Sequence, residues 1–227
     1  ILLCINAIGV KAQNNAWDNS GNNGYLSVIH PGQTLQVQPE FTIEAWVKFQ
    51  SFHPTRRNSI VSQVGGIRGW TLGYDQFSGG LRIRAQKVSG SVIAGNILFT
   101  GGTNNIGCPI ALNTWTHIAV TRQSNLYTFY INGNICGSGT FSAPVENNPS
   151  NTSYDIARNH GWLINSSTGN HNADLEIDEL AVWTTARTQA EIQADLTGNI
   201  PPNSPGLFNY FDFNIGIANG NNSGITT

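Results

Sequence analysis

Apolar and polar residues alternate with a period of two along most of this chain. In the run Phe41-Thr-Ile-Glu-Ala-Trp-Val-Lys-Phe49, residues Phe41, Ile43, Ala45, Val47 and Phe49 share one face of a strand. Thr42, Glu44 and Lys48 share the other, joined by Trp46. Similar runs predict strands over 59–64, 69–74, 80–86, 91–98, 155–158 and 175–183. Clusters of Gly, Asn, Pro and Ser separate them, as turns require. Residues 115–121 and 126–131 read as a hairpin turned at Ser124-Asn125, and Asn132-Gly133 supplies a two-residue turn into a strand over 135–139. One helix is predicted. Thr188-Gln-Ala-Glu191 has the form of a capping box, Ala190, Ile192, Ala194 and Leu196 follow, and Gly198 ends it. Such a pattern implies an all-β fold, a two-sheet antiparallel jelly-roll sandwich with one short C-terminal helix.

The organisation along the chain follows from breaks in this pattern. Residues 1–12, ILLCINAIGVKA, read as the remnant of a secretory signal peptide lacking its basic start. The apolar run is too short to span a bilayer, and Val10-Lys-Ala12 offers small residues for cleavage. A buried first strand is the alternative for this segment. The domain proper is expected over 13–198. Residues 199–206, containing Ile200-Pro-Pro-Asn-Ser-Pro-Gly206, form a stiff linker, because closely spaced prolines block helix and sheet pairing alike. Residues 207–227 open with a strand and read as the truncated start of a further module.

Composition narrows the class. Of 227 residues, 39% are hydrophobic, enough for one sizeable core, while only 11% are charged and the net charge is -2. The absence of any basic run argues against nucleic acid or an acidic membrane surface as partner. The low charge and many turn formers suit an extracellular β domain. In that setting Cys108 and Cys136 read as a disulfide, since no neighbouring Cys or His gives metal-ligand spacing, with free core thiols as the alternative.

Four motifs in order resemble the laminin-G-like/pentraxin jelly-roll family of the concanavalin-A-like superfamily. They are Phe41-Thr-Ile-Glu-Ala-Trp-Val-Lys48, Trp115-Thr-His-Ile-Ala-Val-Thr121, Phe129-Tyr-Ile-Asn-Gly133, and Ile177-Asp-Glu-Leu-Ala-Val-Trp183 with its following Thr188-Gln-Ala-Glu-Ile192. The resemblance spans about residues 22–196. It implies a twisted sandwich that binds carbohydrate or protein through rim loops or a sheet face, often with calcium at the rim. The tail Gly206-Leu-Phe-Asn-Tyr-Phe-Asp-Phe213 is similar to the entry strand of such modules in tandem arrays on bacterial surfaces.

The same superfamily holds glycoside hydrolases with acids placed as Glu-x-Asp-x-x-Glu on one strand. Here Glu176 and Asp178 fill the first two places, but the third is Ala181. Glu179, next to Asp178, points to the opposite face of a regular strand, which would leave no acid/base partner across a scissile bond. A regular strand also groups Leu175, Ile177, Glu179, Ala181 and Trp183 on one face, with Asp178, Leu180 and Val182 on the other. An acid on an apolar face needs a partner. The expectation is a structural Ca²⁺ held by Asn23, Asp178 and Glu179 with nearby carbonyls. The alternative is a carboxylate satisfied by backbone amides or by Arg187.

Candidate ligand contacts are Trp162 and His160 in Asn159-His-Gly-Trp-Leu163, where an exposed indole would stack on a sugar, set against an indole that plugs the sandwich edge. Arg82 and Arg84 share a strand face and, with Tyr74 nearby, could line a hydroxyl-binding sheet; plain solvation is the alternative. Trp46, Trp70, Trp115 and Trp183 are assigned to structure, as is His117. The other histidines lack zinc spacing, and no nucleophile elbow or phosphate loop appears. The reading is a secreted, non-catalytic module of a larger adhesion-type protein. Its partner is a glycan or a cell-surface or matrix protein. A structural spacer without glycan ligand is the alternative, and a glycoside hydrolase stands behind both.

Overall fold

The computed structural model describes residues 16–18, 25–29, 39–52, 58–65, 68–75, 80–89, 92–99, 108–140, 153–157 and 173–213. Its elements in chain order are β1 (Trp17–Asp18), β2 (Leu26–Ile29), β3 (Glu40–Ser51), β4 (Asn58–Gly65), β5 (Arg68–Asp75), β6 (Gly80–Ser89) and β7 (Val92–Phe99). After these come β8 (Thr116–Gln123), β9 (Leu126–Ile131), β10 (Asn134–Thr140), β11 (Ser153–Ile156), β12 (Asp174–Trp183), α1 (Gln189–Asp195) and β13 (Leu207–Phe211). One sheet runs β1-β12-β3-β8-β9-β10 with β13 also beside β12; the other runs β2-β11-β4-β5-β6-β7. All pairings are antiparallel, which gives the two-sheet jelly-roll sandwich with one short helix that the alternation predicts. The period-two pattern does not single out β1 or β2, which are too short to show it.

The core lies between the sheets. Ile43, Val47, Phe49, Ile118, Val120, Phe129, Leu175, Ile177, Leu180 and Val182 come from the seven-stranded sheet, and Ile60, Val61, Leu72, Leu81, Ile83 and Ile156 from the six-stranded one. Each such side chain, fully removed from water, contributes on the order of 1.5–3 kcal/mol before entropy is counted. Asn132 and Gly133 both have positive φ, 49° and 72°, the geometry of the tight turn that matches strand twist. Asn132 fits because its Oδ1 accepts from the His117 amide at 2.9 Å while its own amide donates to His117 O at 2.8 Å.

A third layer covers part of the outer face of the seven-stranded sheet. Thr188 caps α1 in the expected box: its Oγ1 accepts from the Glu191 amide at 3.3 Å, and Glu191 Oε2 accepts from the Thr188 amide at 2.7 Å. Ile192 then packs on Ala119 and Tyr130, while Ile200 packs on Ala181 and Trp183. The helix rests on the Asn132-Gly133 turn, where Gln189 and Gln193 both donate to Gly133 O, at 3.0 and 3.1 Å. For this reason Thr42, Glu44 and Trp46, the non-core side of β3, are buried as well. After the proline-rich segment, β13 pairs with β12 from Leu180↔Phe211 to Trp183↔Leu207, beside the edge that β1 occupies at Ile177 and Glu176.

Cys108 and Cys136 form a disulfide with Cα atoms 5.3 Å apart, as expected. The register slips by one residue between Ile135 and Gly137, so Cys136 is the extra residue of a bulge. The bridge ties the edge strand β10 to the segment before β8. With a sequence separation of 28 between the cysteines, the chain-entropy model gives roughly 3–4 kcal/mol of stabilisation. Replacing both cysteines by Ala is expected to lower the urea-unfolding free energy by about that amount while the far-ultraviolet spectrum keeps its β form.

Candidate functional site

Strand β12 carries the three acids singled out by the sequence, and it is not regular. Asp178 pairs with Trp46 but the next pair is Ala181↔Glu44, so Glu179 and Leu180 together oppose Ala45. This is a β-bulge, with Glu179 in the left-handed region at φ 53°. The extra residue changes the phase of the strand. Leu175, Ile177, Leu180 and Val182 belong to the core, whereas Glu176, Asp178, Ala181 and Trp183 stand at the register positions of Lys48, Trp46, Glu44 and Thr42 on the outer side. The regular-strand expectation, with Glu179 and Asp178 on opposite faces and Leu175 beside Ala181, is therefore corrected. The bulge realigns the acids toward one side.

Each acid has a partner within the molecule. Glu176 Oε1 accepts from Lys48 Nζ at 2.6 Å and from Gln50 Nε2 at 3.1 Å. Asp178 is buried, and its Oδ1 accepts from the Glu179 amide at 2.9 Å. Glu179, also buried, accepts a short hydrogen bond from the Tyr210 hydroxyl of β13, which also contacts Gly198 O at 3.0 Å. A Cβ on Gly198, whose φ is +69°, would lie 2.8 Å from Glu179 Oε1, so the backbone there closes tightly over the carboxylate. Arg187, the other partner offered by the sequence, turns elsewhere. Its guanidinium lies 3.9 Å from the Trp183 ring centre and pairs with Asp195 of α1.

Beneath Arg187 lies a buried acid that the sequence placed on the polar side of β3. Glu44 is 1% exposed, and its Oε1 accepts from Trp183 Nε1 at 2.6 Å. Burial first, then the neighbouring Asp195 carboxylate, push its pKa well above the usual carboxylate range. These surroundings favour the neutral form of the Glu44 carboxyl group. His117 Nε2 stands 3.6 Å from Glu44 Oε2, too far for a hydrogen bond, and its ring meets Trp46 edge-on at 5.4 Å. Burial lowers the His117 pKa from 6.5 to about 3, so the imidazole is neutral and the contact is not an ion pair.

The six-stranded sheet presents the second candidate. Arg82 and Arg84 lie opposite Gly73 and Thr71, and Thr71 continues the row through Ser62 to Asp155. Thr71, Ser62 and Asp155 in this row are buried. Tyr74 is not part of it. It pairs with Leu81, and its buried ring stacks on Phe52 at 4.6 Å and meets Phe49 at 5.9 Å, so it belongs to the core between the sheets. Trp162, His160 and Asn23 lie outside the described residues. Among the described residues no three His, Cys, Asp or Glu groups come together in a way that could hold a metal. The calcium expectation therefore draws on two described carboxylates, Asp178 and Glu179, each already accepting a hydrogen bond. A carboxylate has further lone pairs for a hard cation.

A two-sheet sandwich with an outer helix and an acid-bearing strand defines a lectin-like jelly roll. The model of the Laminin_G_3 family matches residues 20–193, and the chain belongs to the concanavalin A-like lectin/glucanases superfamily. No curated protein matches it. Among solved structures, it is similar to a proposed carbohydrate binding protein from Bacteroides ovatus ATCC 8483, with TM-score 0.56 and 20% identity over 83% of this chain and 48% of that one. It is also similar to the binding domain of botulinum neurotoxin DC in complex with SialylT, with TM-score 0.53 and 14% identity over 77% of this chain and 39% of that one. A heptameric SAP-like pentraxin from Limulus polyphemus gives TM-score 0.51 and 16% identity over 82% of this chain and 79% of that one. The chain thus spans about half the length or less of the first two. At these identities the likeness is one of fold.

The buried His117 gives a pH prediction. Its folded pKa is depressed, so the stability it contributes is present above pH 6.5 and is lost as pH falls toward about 3. Glu44 works in the opposite sense, its contribution fading as pH rises above the ordinary carboxylate range. In His117→Gln only the first effect disappears. The stability gap between wild type and variant is expected to narrow by about 3 kcal/mol between pH 7 and pH 4, from 1.36 kcal/mol per pKa unit, read by urea unfolding at each pH. A constant gap contradicts the neutral, buried imidazole.

Proposed function

We propose that this chain is a secreted, non-catalytic recognition module that binds carbohydrate reversibly at a cell surface, as one unit of a longer protein. The observation that carries this reading is the state of the acids on β12, in a superfamily that contains both lectins and glucanases. Glycoside hydrolysis needs two carboxyl groups facing each other across a bond, about 5–10 Å apart. Here Glu176 pairs with Lys48, Glu179 accepts from Tyr210, and the third position of the hydrolase pattern is the buried Ala181. The neighbour described as a carbohydrate binding protein supports a sugar ligand. The disulfide suits an oxidising compartment. No helix among the described residues is long and apolar enough to cross a membrane.

In this reading Arg82 and Arg84 on the six-stranded sheet, with Trp162 and His160, contact hydroxyls and a sugar face. Tandem modules would raise weak single-site affinity through effective concentration. The test pairs a glycan array with a reducing-sugar assay on the hits. Retention of at least one glycan with no release of reducing ends supports the proposal. Silence across the array from a folded protein favours a spacer or protein-binding module, and release of reducing ends that Glu176→Gln abolishes favours a hydrolase. The reading also includes a structural calcium ion drawing on Asn23, Asp178 and Glu179. A melting temperature that rises when calcium is added to chelator-treated protein is the expected result, and an unchanged one removes the ion from the account.

A further inference from the structure

The outer face of the seven-stranded sheet is covered at one end and open at the other. Along β3 the outward residues Thr42, Glu44 and Trp46 are 0%, 1% and 6% exposed, under α1 and the segment after it. Lys48 and Gln50, farther along the same face, are only half-buried. Here a row forms across four chain segments. Asp18 of β1 pairs with Glu176 of β12, which pairs with Lys48 of β3. Since Thr116 pairs with Val47, the preceding Trp115 stands beside Lys48, whose Nζ is 5.8 Å from the indole ring centre. Trp115 is itself half-buried rather than sealed in the core.

The polar members of this row are already ordered by one another. Glu176 Oε1 receives Lys48 Nζ at 2.6 Å and Gln50 Nε2 at 3.1 Å, and Gln50 Nε2 also lies 3.4 Å from Asp18 Oδ1. At the end of β3, Ser51 Oγ donates to Asp174 Oδ2 at 2.5 Å. The salt bridge is partly open to solvent, with side chains 26% and 19% exposed, so it contributes little to stability. Its physical consequence is a set of donors and acceptors held in place next to an indole. That combination matches a pyranose, whose C–H face lies on an aromatic ring while its hydroxyls both donate and accept. Preorganised partners lower the entropy lost on binding.

We infer that the face formed by Trp115, Lys48, Gln50, Glu176 and Asp18 is a binding site for a neutral pyranose-containing glycan. This rests on the carbohydrate-binding reading above and adds to the six-stranded-sheet contacts proposed there a second face, on the seven-stranded sheet. Among the described residues here, Asp18, Asp174 and Glu176 outnumber Lys48, which favours a neutral glycan over a sialic or uronic acid. Trp115, assigned to structure from the sequence, becomes the stacking platform.

The test uses the 227-residue chain and an array of neutral oligosaccharides of glucose, galactose, mannose and N-acetylglucosamine beside sialyllactose and polygalacturonate. The best-retained probe is then titrated by tryptophan fluorescence. Trp115→Ala is expected to weaken binding of a neutral probe at least tenfold, Gln50→Ala several-fold, and Trp115→Phe less than Trp115→Ala, all at an unchanged melting temperature. If Trp115→Ala melts early, the exposed-side variant Gln50→Ala decides, and unchanged affinity in it overturns the site. Full affinity in a folded Trp115→Ala also overturns the site while leaving the binding function intact. Preference for sialyllactose or polygalacturonate overturns the neutral class. No binding of any probe by wild type removes the binding reading and this site together.

Discussion

The bulge at Glu179 sets the arrangement on which the outer face of this domain depends. A one-residue slip in strand phase moves every later side chain to the other side of the sheet. Because Glu179 and Leu180 together oppose Ala45, Leu180 and Val182 return to the core, while Ala181 and Trp183 face outward. Trp183 can then donate to Glu44 and carry Arg187 on its ring. A non-glycine residue in the left-handed region costs on the order of 1–2 kcal/mol. The Tyr210 hydroxyl donates to Glu179 and offsets part of this with a hydrogen bond, about 1 kcal/mol in typical cases. Gly198, unable to carry a side chain at that point, lets the backbone close over it.

The outer layer explains why a sandwich of so few charges buries an acid and a histidine on the side away from its core. Segment 184–188 is drawn onto β3 by two bonds, Thr42 Oγ1 to Thr185 O and the Arg187 amide to Thr42 Oγ1, each 2.8 Å. Arg187 joins Asp195 of α1 to the Trp183 ring, and Asp195 in turn helps to raise the pKa of the buried Glu44. Removing water from this side of the sheet shifts both Glu44 and His117 toward their neutral forms. The layer covers only part of the sheet, so Lys48, Gln50 and Trp115 remain within reach of solvent.

Much of the architecture was legible in the alternation of side chains. A half-buried strand leaves a period-two signature, and each turn left its own residues, most clearly Asn132-Gly133. The capping box of α1 was readable because its two bonds link residues three apart. The Cys108–Cys136 bridge followed from compartment and the lack of metal spacing. The bulge was not legible, since glutamate carries no signal for the left-handed region and the extra residue shows only against Ala45 on another strand. Tyr74 followed from nothing in its own neighbourhood either; its face is set by pairing with Leu81. The burial of Glu44 and the exposure of Trp115 depend on where a distant helix ends its cover, a long-range fact that strand periodicity does not encode.

Function follows from which side chains these constraints leave accessible. In a fold shared by lectins and glucanases, the acids of β12 serve the bulge, the salt bridge with Lys48 and the anchoring of β13, while an indole and a hydrogen-bonded row face outward. The most direct measurement is the mass of a glycan recovered after prolonged incubation with the chain. The account predicts that the glycan is retained by wild type, retained poorly by Trp115→Ala, and recovered intact from both. Recovery of cleaved fragments whose formation depends on Glu176, Asp178 or Glu179 would contradict it.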